Sequence, residues 1–409
     1  MRGRRCIIAF VCAVTAVSGW AQGNDFYAWW SGVFSDYADP NTGLTVFPSL
    51  LIPLGGKYEG MGTAYVALAQ DSSFIESNPA ASSLLSQTEL SIFHHNWISD
   101  TNIEGIVYTV RLNDLGIGVG GKFLYVPFPA VNEIGRTMVT PYYSESVGTL
   151  NVSYNLFQSY YFYGLAAGAN IKVAYRSIPQ NLYANQSALA FMADVGIQTS
   201  FNLLKLYNSR DRNFSLGAVV KNLGVSTLAG EQLPLMVTAG FAYSPLRPWT
   251  MTFDFNYPFS LDPVNAPAAR WNMAFGTNVN IASFISVQAG ALIMTDNPFL
   301  SLGATIDLGW VNLVMNFNLD LSSSLNPEDK MSVQAQFDLG DFGRKAAKDH
   351  ADSLYLQGLE EYAQGNYETA IQYWKSCLQI DSKYDPAREN ILTVQQTLDL
   401  QRQMESRGN

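Results

Sequence analysis

From residue 88 to residue 339, runs of about ten residues recur in which every second side chain is large and apolar, and this period of two constrains the chain more than any other feature. In Trp249-Thr250-Met251-Thr252-Phe253-Asp254-Phe255-Asn256-Tyr257 all odd positions are apolar and all even ones polar. Trp271-Asn272-Met273-Ala274-Phe275-Gly276-Thr277-Asn278-Val279 and Met331-Ser332-Val333-Gln334-Ala335-Gln336-Phe337-Asp338-Leu339 repeat the pattern. Successive side chains of a strand point to opposite faces, so each run has one apolar and one polar face.

Alternation alone also fits a soluble β-sandwich, but three further features point to a membrane barrel. The runs have the length of a tilted strand crossing a bilayer, whereas soluble strands average about five or six residues. Aromatic residues gather at their ends, as in Tyr160-Tyr161-Phe162-Tyr163, Trp249, Trp271 and Trp310, in the manner of interfacial girdles. The inward candidates are Asn, Ser, Thr, Gln, Gly and Asp, too polar for a dry core. Fourteen strands are expected, near 88–98, 102–111, 115–125, 147–157, 160–176, 187–201, 212–223, 233–244, 249–259, 269–280, 284–293, 298–308, 310–319 and 330–339. An even number closes an antiparallel barrel with both chain ends on the periplasmic side, and lipid cannot satisfy an open strand edge.

The N-terminus reads as an export signal over 1–21: Arg2, Arg4 and Arg5, an apolar run from Cys6 to Val17, then Gly19-Trp20-Ala21. That run is short of the ~20 residues that span a bilayer as a helix. Its removal leaves 21 basic against 34 acidic residues and one thiol, Cys377, so no internal disulfide can form and nucleic acid has no electrostatic attraction to the chain. Charged residues make up only 14% of the sequence, against roughly 25% in soluble globular proteins, which also excludes a disordered chain.

Residues 22–87 precede the first strand and carry a small-residue stretch, Gly55-Gly56 through Gly60-x-Gly62 to Ala69, followed by a turn at Asn78-Pro79-Ala80. Residues 88–340 hold the strands. Beyond them, 345–409 change to helical spacing and resemble one tetratricopeptide repeat plus a covering helix: Gly358 and Gly365 occupy its small and turn positions, Tyr362 and Tyr367 flank the turn, and Ala370 and Trp374 match its inter-helix contacts. Cys377 and Ser382 depart from the repeat's usual Ala and Pro.

Gly60-x-Gly62-x-Ala64-Tyr65 with Asn78-Pro79-Ala80, placed just ahead of the first strand, resembles the N-terminal hatch of FadL-type long-chain fatty acid transporters. Val219-Val220-Lys221-Asn222-Leu223-Gly224 is similar to a strand-end motif of FadL and PorV-like barrels, and the whole layout resembles spirochaetal FadL-like outer-membrane proteins. The resemblance implies an all-β transmembrane barrel plugged by a hatch in which Gly60, Gly62, Asn78, Pro79 and Ala80 act by geometry. It also implies hydrophobic small molecules such as long-chain fatty acids as cargo, and a lateral gap at the third strand. There Gly116, Gly118, Gly120, Gly121 and Pro127 permit bulges or broken pairing, although the same glycines could serve only to ease curvature. Phe128, Tyr142 and Tyr143 in the long loop are candidate ligand contacts. The chain is expected in the outer membrane against lipid, with its helical module in the periplasm. A second reading makes the barrel an anchor whose helical module recruits a periplasmic protein.

No enzyme chemistry is expected. His94, His95 and His350 are the histidines, no more than one of His94-His95 can face a lumen, and no nucleophile elbow, metal cluster or phosphate loop accompanies them, so no cofactor or metal is implied.

Overall fold

The computed structural model describes residues 47–98, 101–127, 130–131, 134, 137–139, 142–179, 185–209, 211–227, 232–261, 270–294, 298–321 and 329–408. The expected export signal lies outside the described residues. Two compact units emerge: the chain up to Tyr154 with Ala166–Leu339, and Asn155–Leu165 with Gly340–Asn409.

In the first unit, short helices come before the sheet: α1 (Gly56–Gly60), α2 (Phe74–Ser77) and single 3-10 turns at Pro48–Leu50 and Pro79–Leu84. The strands are then β1 (Glu89–Asn96), β2 (Asn102–Leu112) and β3 (Leu115–Pro127), with the short β4 (Ala130–Val131) and β5 (Thr137–Val139) forming a separate hairpin. They continue as β6 (Tyr142–Leu156), β7 (Leu165–Ser177), β8 (Ala188–Phe201), β9 (Phe214–Ser226) and β10 (Met236–Leu246). The last six are β11 (Trp249–Pro258), β12 (Asn272–Ala282), β13 (Ile285–Ile293), β14 (Phe299–Asp307), β15 (Val311–Asp320) and β16 (Lys330–Asp338). Without β4 and β5, fourteen strands close into one antiparallel barrel, in which Glu89 of β1 pairs with Thr109 of β2 on one side and Asp338 of β16 on the other.

The barrel is inverted relative to a soluble protein. Ile106, Val119, Leu150, Ile171 and Phe191 are exposed on its outer face, while Ser91, Asn151, Asn170, Gln288, Asn316 and Gln334 are buried inside. A continuous apolar outer surface suits hydrocarbon and not water, and the closed ladder leaves no strand edge for lipid to meet. Trp249 begins β11, and Trp310 and Trp271 immediately precede β15 and the oppositely directed β12, so exposed aromatics mark both ends of the wall. Tyr160-Tyr161-Phe162-Tyr163 depart from expectation: β7 starts only at Leu165, and this tyrosine-rich turn belongs to the second unit.

The second unit packs α3 (Arg344–Ala363), α4 (Tyr367–Ile380) and α5 (Asp385–Gly408) around buried Trp374. Gly358 lies flat against the Trp374 ring, whose Nε1 donates to the Tyr355 carbonyl at 3.2 Å, and Gly365, at φ +83°, makes the turn between α3 and α4. Tyr362 meets Tyr367 and Trp374 at ring distances of 5.5 and 6.1 Å, and Ala370 is fully buried. Tyr160 packs tilted against Tyr384 at a ring distance of 4.8 Å, its N–H donates to Asp385, and the Tyr161 hydroxyl donates to Glu389 at 2.9 Å. Burial, reinforced by Asp381 and Asp352, pushes the Cys377 thiol up to about 11, so it stays protonated at neutral pH.

Ile171, midway along β7 and 63% exposed, tests the lipid-facing reading. In protein refolded into lipid vesicles, Ile171→Arg should lower the unfolding free energy by about 2–4 kcal/mol, as for basic residues at a bilayer midplane. A water-facing site would tolerate the change within about 0.5 kcal/mol.

Candidate functional site: a hatch seated in the barrel lumen

Residues 47–87, the segment expected to act as a hatch, lie inside the barrel with little regular secondary structure, so the backbone N–H and C=O groups that their own turns leave unpaired need partners from outside the segment. The inward polar residues of the wall supply them. Asp254 on β11 accepts from the N–H groups of Tyr65 and Val66 at 2.8 and 2.9 Å, and Glu89 on β1 accepts from Ser72 N–H at 2.9 Å. Asn151 and Ser153 on β6 serve the Pro79 carbonyl at 2.9 Å and the Ser83 N–H at 2.7 Å. Asn316 on β15 donates to the Gly56 carbonyl and Gln198 on β8 to the Ala67 carbonyl. In return, Asn78 of the hatch donates to the wall carbonyl of Ile197 at 3.0 Å while accepting from Ala80 N–H within its own turn.

Charged groups reinforce this seat. Glu59 at the end of α1 is fully buried, accepts from Asn318 and Ser332, and lies 3.2 Å from Nε2 of His95. Nδ1 of His95 is 2.8 Å from the Pro53 carbonyl, which can only accept, so that nitrogen carries a proton. His94 points outward instead and meets Glu104 at 2.9 Å. Lys122 pairs with Glu76 at 2.6 Å and also donates to the Ile52 carbonyl, and Lys172 pairs with Asp194 at 2.6 Å.

Close approach needs missing side chains as well as hydrogen bonds. At Gly116, Gly168, Gly217, Gly276 and Gly290 a Cβ would come within 3.0 Å of hatch backbone, and at Gly196 equally close to Asn78. All six lie in the inward phase of their strands. Gly118 and Gly120 likewise face Phe74 and Ile75, whereas Gly121 points away from the lumen. The break expected at β3 is absent: Leu115 to Pro127 pair with β2 or β6 without a register shift, and the glycines there admit the hatch. A mid-strand irregularity occurs in β9 instead, between the pairs Ala193↔Leu223 and Val195↔Val220. There Asn222 adopts φ +62°, its N–H donates to Asp194 at 2.8 Å, and Lys221 and Asn222 are both buried.

Each hatch residue singled out in the sequence meets the wall or the turn beside it. Gly60 fits under Asn316 and Gln288, and Gly62, at φ +62°, abuts Ala291. Asn78, Pro79 and Ala80 are fully or almost fully buried. Of the loop candidates, Tyr142 is exposed, Tyr143 is half-buried with its hydroxyl on Glu145, and Phe128 lies outside the described residues. Tyr142 and Tyr143, consecutive on β6, point to opposite faces of the wall.

Apolar clusters sit within this polar lumen. Phe47 packs with Val147, Ala174, Met192, Leu233 and Leu235, and Leu54, Phe74 and Ile75 pack with Phe93, Ile103 and Val107. Between them lies a cavity of about 70 Å³, lined by Leu50 to Leu54, Tyr58, Ile75, Val107, Val147 and Met236 on its apolar side and by Glu76, Lys122, Lys172, Lys221 and Asn222 on its polar side.

A sequence profile described as an uncharacterised protein family, UPF0164, matches residues 35–341, three quarters of the chain and nearly all of the barrel and hatch. The chain belongs to the UPF0164 family. Among its relatives are two UPF0164 proteins of Treponema pallidum (strain Nichols). One is 29% identical over 387 residues, covering 90% of this chain and 87% of the relative. The other is 25% identical over 399 residues, covering 87% and 76%. Solved structures similar to this UPF0164 barrel include the CymD monoaromatic hydrocarbon channel, at 11% identity and a TM-score of 0.49, covering 70% of this chain and 97% of that one. The Pseudomonas putida toluene transporter TodX has 12% identity and a TM-score of 0.46, covering 68% and 95%.

Alternation places Glu89, Ser153, Gln198 and Asp254 inward but does not reveal what they hold, because their hatch partners lie 17 to 189 residues away. A usable signal was present in the glycines, which recur in the inward phase on strand after strand.

Filling those positions should unseat the hatch. Overpacking costs about 1–3 kcal/mol at ordinary core sites, and here the colliding atoms are backbone. Gly217→Leu or Gly290→Leu should expose Lys57 to trypsin in the folded protein. Gly148→Leu, on the exposed face with nothing within 4 Å, should leave Lys57 protected.

Proposed function

We propose that this protein is an outer-membrane channel that passes long-chain fatty acids or similar hydrophobic molecules through a hatch-plugged β-barrel, with its helical module in the periplasm. The observation that carries the reading is the pairing of an apolar outer wall with an apolar-lined cavity inside a lumen otherwise dressed with polar groups. A hydrophilic pore has no use for half-buried Leu50 and buried Leu54, Ile75 and Val107 around its path. The hatch closes the barrel to ions, and cargo passage requires it to shift. Such a shift is plausible in energy because each hatch-to-wall hydrogen bond is worth only about 0.5–1.5 kcal/mol net.

The hydrocarbon and toluene channels named above share the general barrel form. A second reading is an anchor that recruits a periplasmic partner. It draws support from Leu356, Leu392 and Leu400, exposed on the helices.

Titration of palmitate into the refolded protein should quench tryptophan fluorescence saturably, and deletion of 50–85 should convert a closed barrel into an ion-conducting pore in planar bilayers. Absence of saturable quenching, with conductance unchanged by the deletion, would remove the channel reading.

A further inference from the structure

Three lysines border the lumen cavity, and they are not equivalent. Lys122 is matched by Glu76 and the Ile52 carbonyl, and Lys172 by Asp194 and the Asn222 side chain. Lys221 is more than nine-tenths buried, yet among the described residues no carboxylate or carbonyl oxygen lies within ion-pair or hydrogen-bond distance of its ammonium. Its one close partner is the face of Tyr58, 5.8 Å away. Asp254 on the wall spends one oxygen on the Tyr65 and Val66 N–H groups and makes no ion pair with Lys221. Buried cations are ordinarily paired, because desolvation penalises a lone charge heavily.

Two features show that this lysine is held in place by the fold. The register shift between β8 and β9 lets consecutive residues, Lys221 and Asn222, both turn inward, which a regular strand forbids. Asn222 in turn is pinned in a left-handed conformation by three bonds: its N–H to Asp194, its side-chain amide to the Pro234 carbonyl at 2.8 Å, and its side-chain oxygen from Lys172 at 3.1 Å. The cavity that Lys221 borders is also lined by Leu50, Ile52, Leu54 and Ile75, with Met236 paired beside Lys221 across β9 and β10, and Glu76, the acid on its rim, is held by Lys122 and the Leu54 N–H.

From this geometry we propose that Lys221 is the headgroup site for a single-chain amphiphile bearing one anionic group, with the first methylenes lying against the Leu50–Leu54 segment. The assignment rests on the channel reading above and narrows its cargo from fatty acids or similar hydrophobic molecules to those bearing an anionic headgroup. At about 70 Å³ the cavity has room for about five waters, enough for a carboxylate and a short stretch of chain. The remainder of the tail requires the Leu50–Leu54 segment to yield, so binding and hatch movement are coupled at one place.

The test is tryptophan-quenching titration of the refolded full chain in non-ionic detergent at pH 8 with palmitate, hexadecyl phosphate and the uncharged methyl palmitate. The wild type should bind palmitate about tenfold or more tightly than the ester, as expected for a charge-assisted contact. Lys221→Met should erase that preference while leaving ester affinity within about twofold of the wild type, and Lys221→Arg should retain it. Tighter binding of hexadecyl phosphate than palmitate would assign the headgroup as phosphate, within the same anionic class. Equal affinity for acid and ester in the wild type, or a preference that survives Lys221→Met, overturns the assignment while sparing the channel reading. Failure of all three ligands to bind overturns both. Heat-modifiable electrophoretic mobility of each variant reports that the barrel has formed, and Lys221→Arg carries the test should Lys221→Met fail to fold.

Discussion

An irregular segment placed inside a membrane barrel must have the backbone groups it cannot pair within itself satisfied by the wall, and the rest of this structure follows from that requirement. The hatch has no sheet to join and only one or two turns of helix at a time, so the inward positions of the strands that meet its unpaired backbone groups must be polar. They are Asp254, Glu89, Asn151, Ser153, Gln198 and Asn316, each spent on a hatch N–H or C=O. The same positions could not be long side chains everywhere, because donors and acceptors must come within about 3 Å. Glycines on successive strands remove the Cβ atoms that would hold the hatch away.

This division of labour explains why one pattern, alternation, yields two surfaces of different purpose. Outward residues are chosen for lipid and need only be apolar. Inward ones are chosen individually for the hatch atom they meet. The charged groups follow the same logic: Glu59 is shared among Asn318, Ser332 and His95, and Glu76 ties Lys122 to the Leu54 N–H. Lys221, lacking such a match, stands apart from a lumen whose other bordering lysines are paired.

The barrel was readable residue by residue because lipid on one side and a polar interior on the other impose a strict period of two. All fourteen expected strands overlap observed ones, since strands such as β11 and β16 carry the alternation without interruption. The tyrosines at 160–163 misled, because aromatic clustering marks both an interfacial girdle and a packed helical core, and here Tyr160 packs against Tyr384. The glycines of β3 misled in another way: a glycine in a strand can signal a break or a neighbour that comes close, and only the position of Ser82, Phe74 and Ile75 decides. The charge arrangement around Lys221 was not legible, since it depends on strands β3, β7, β8, β9 and β11 converging and on a one-residue bulge that no local pattern announces.

Under the proposed function the hatch closes the lumen and must leave its seat for cargo to pass. Ser82 of the hatch and Ser153 of β6 stand 2.6 Å apart through their hydroxyls, near enough for a disulfide once both are cysteine. The deciding measurement is uptake of labelled oleate by bacterial cells that lack their own outer-membrane fatty acid channel and express Ser82→Cys/Ser153→Cys in a Cys377→Ala background. Oxidised, the cross-linked hatch should hold uptake at the level of cells without the protein, and dithiothreitol should restore it. Uptake undiminished while the cross-link is intact would contradict the account, because cargo would then be passing a hatch that cannot move.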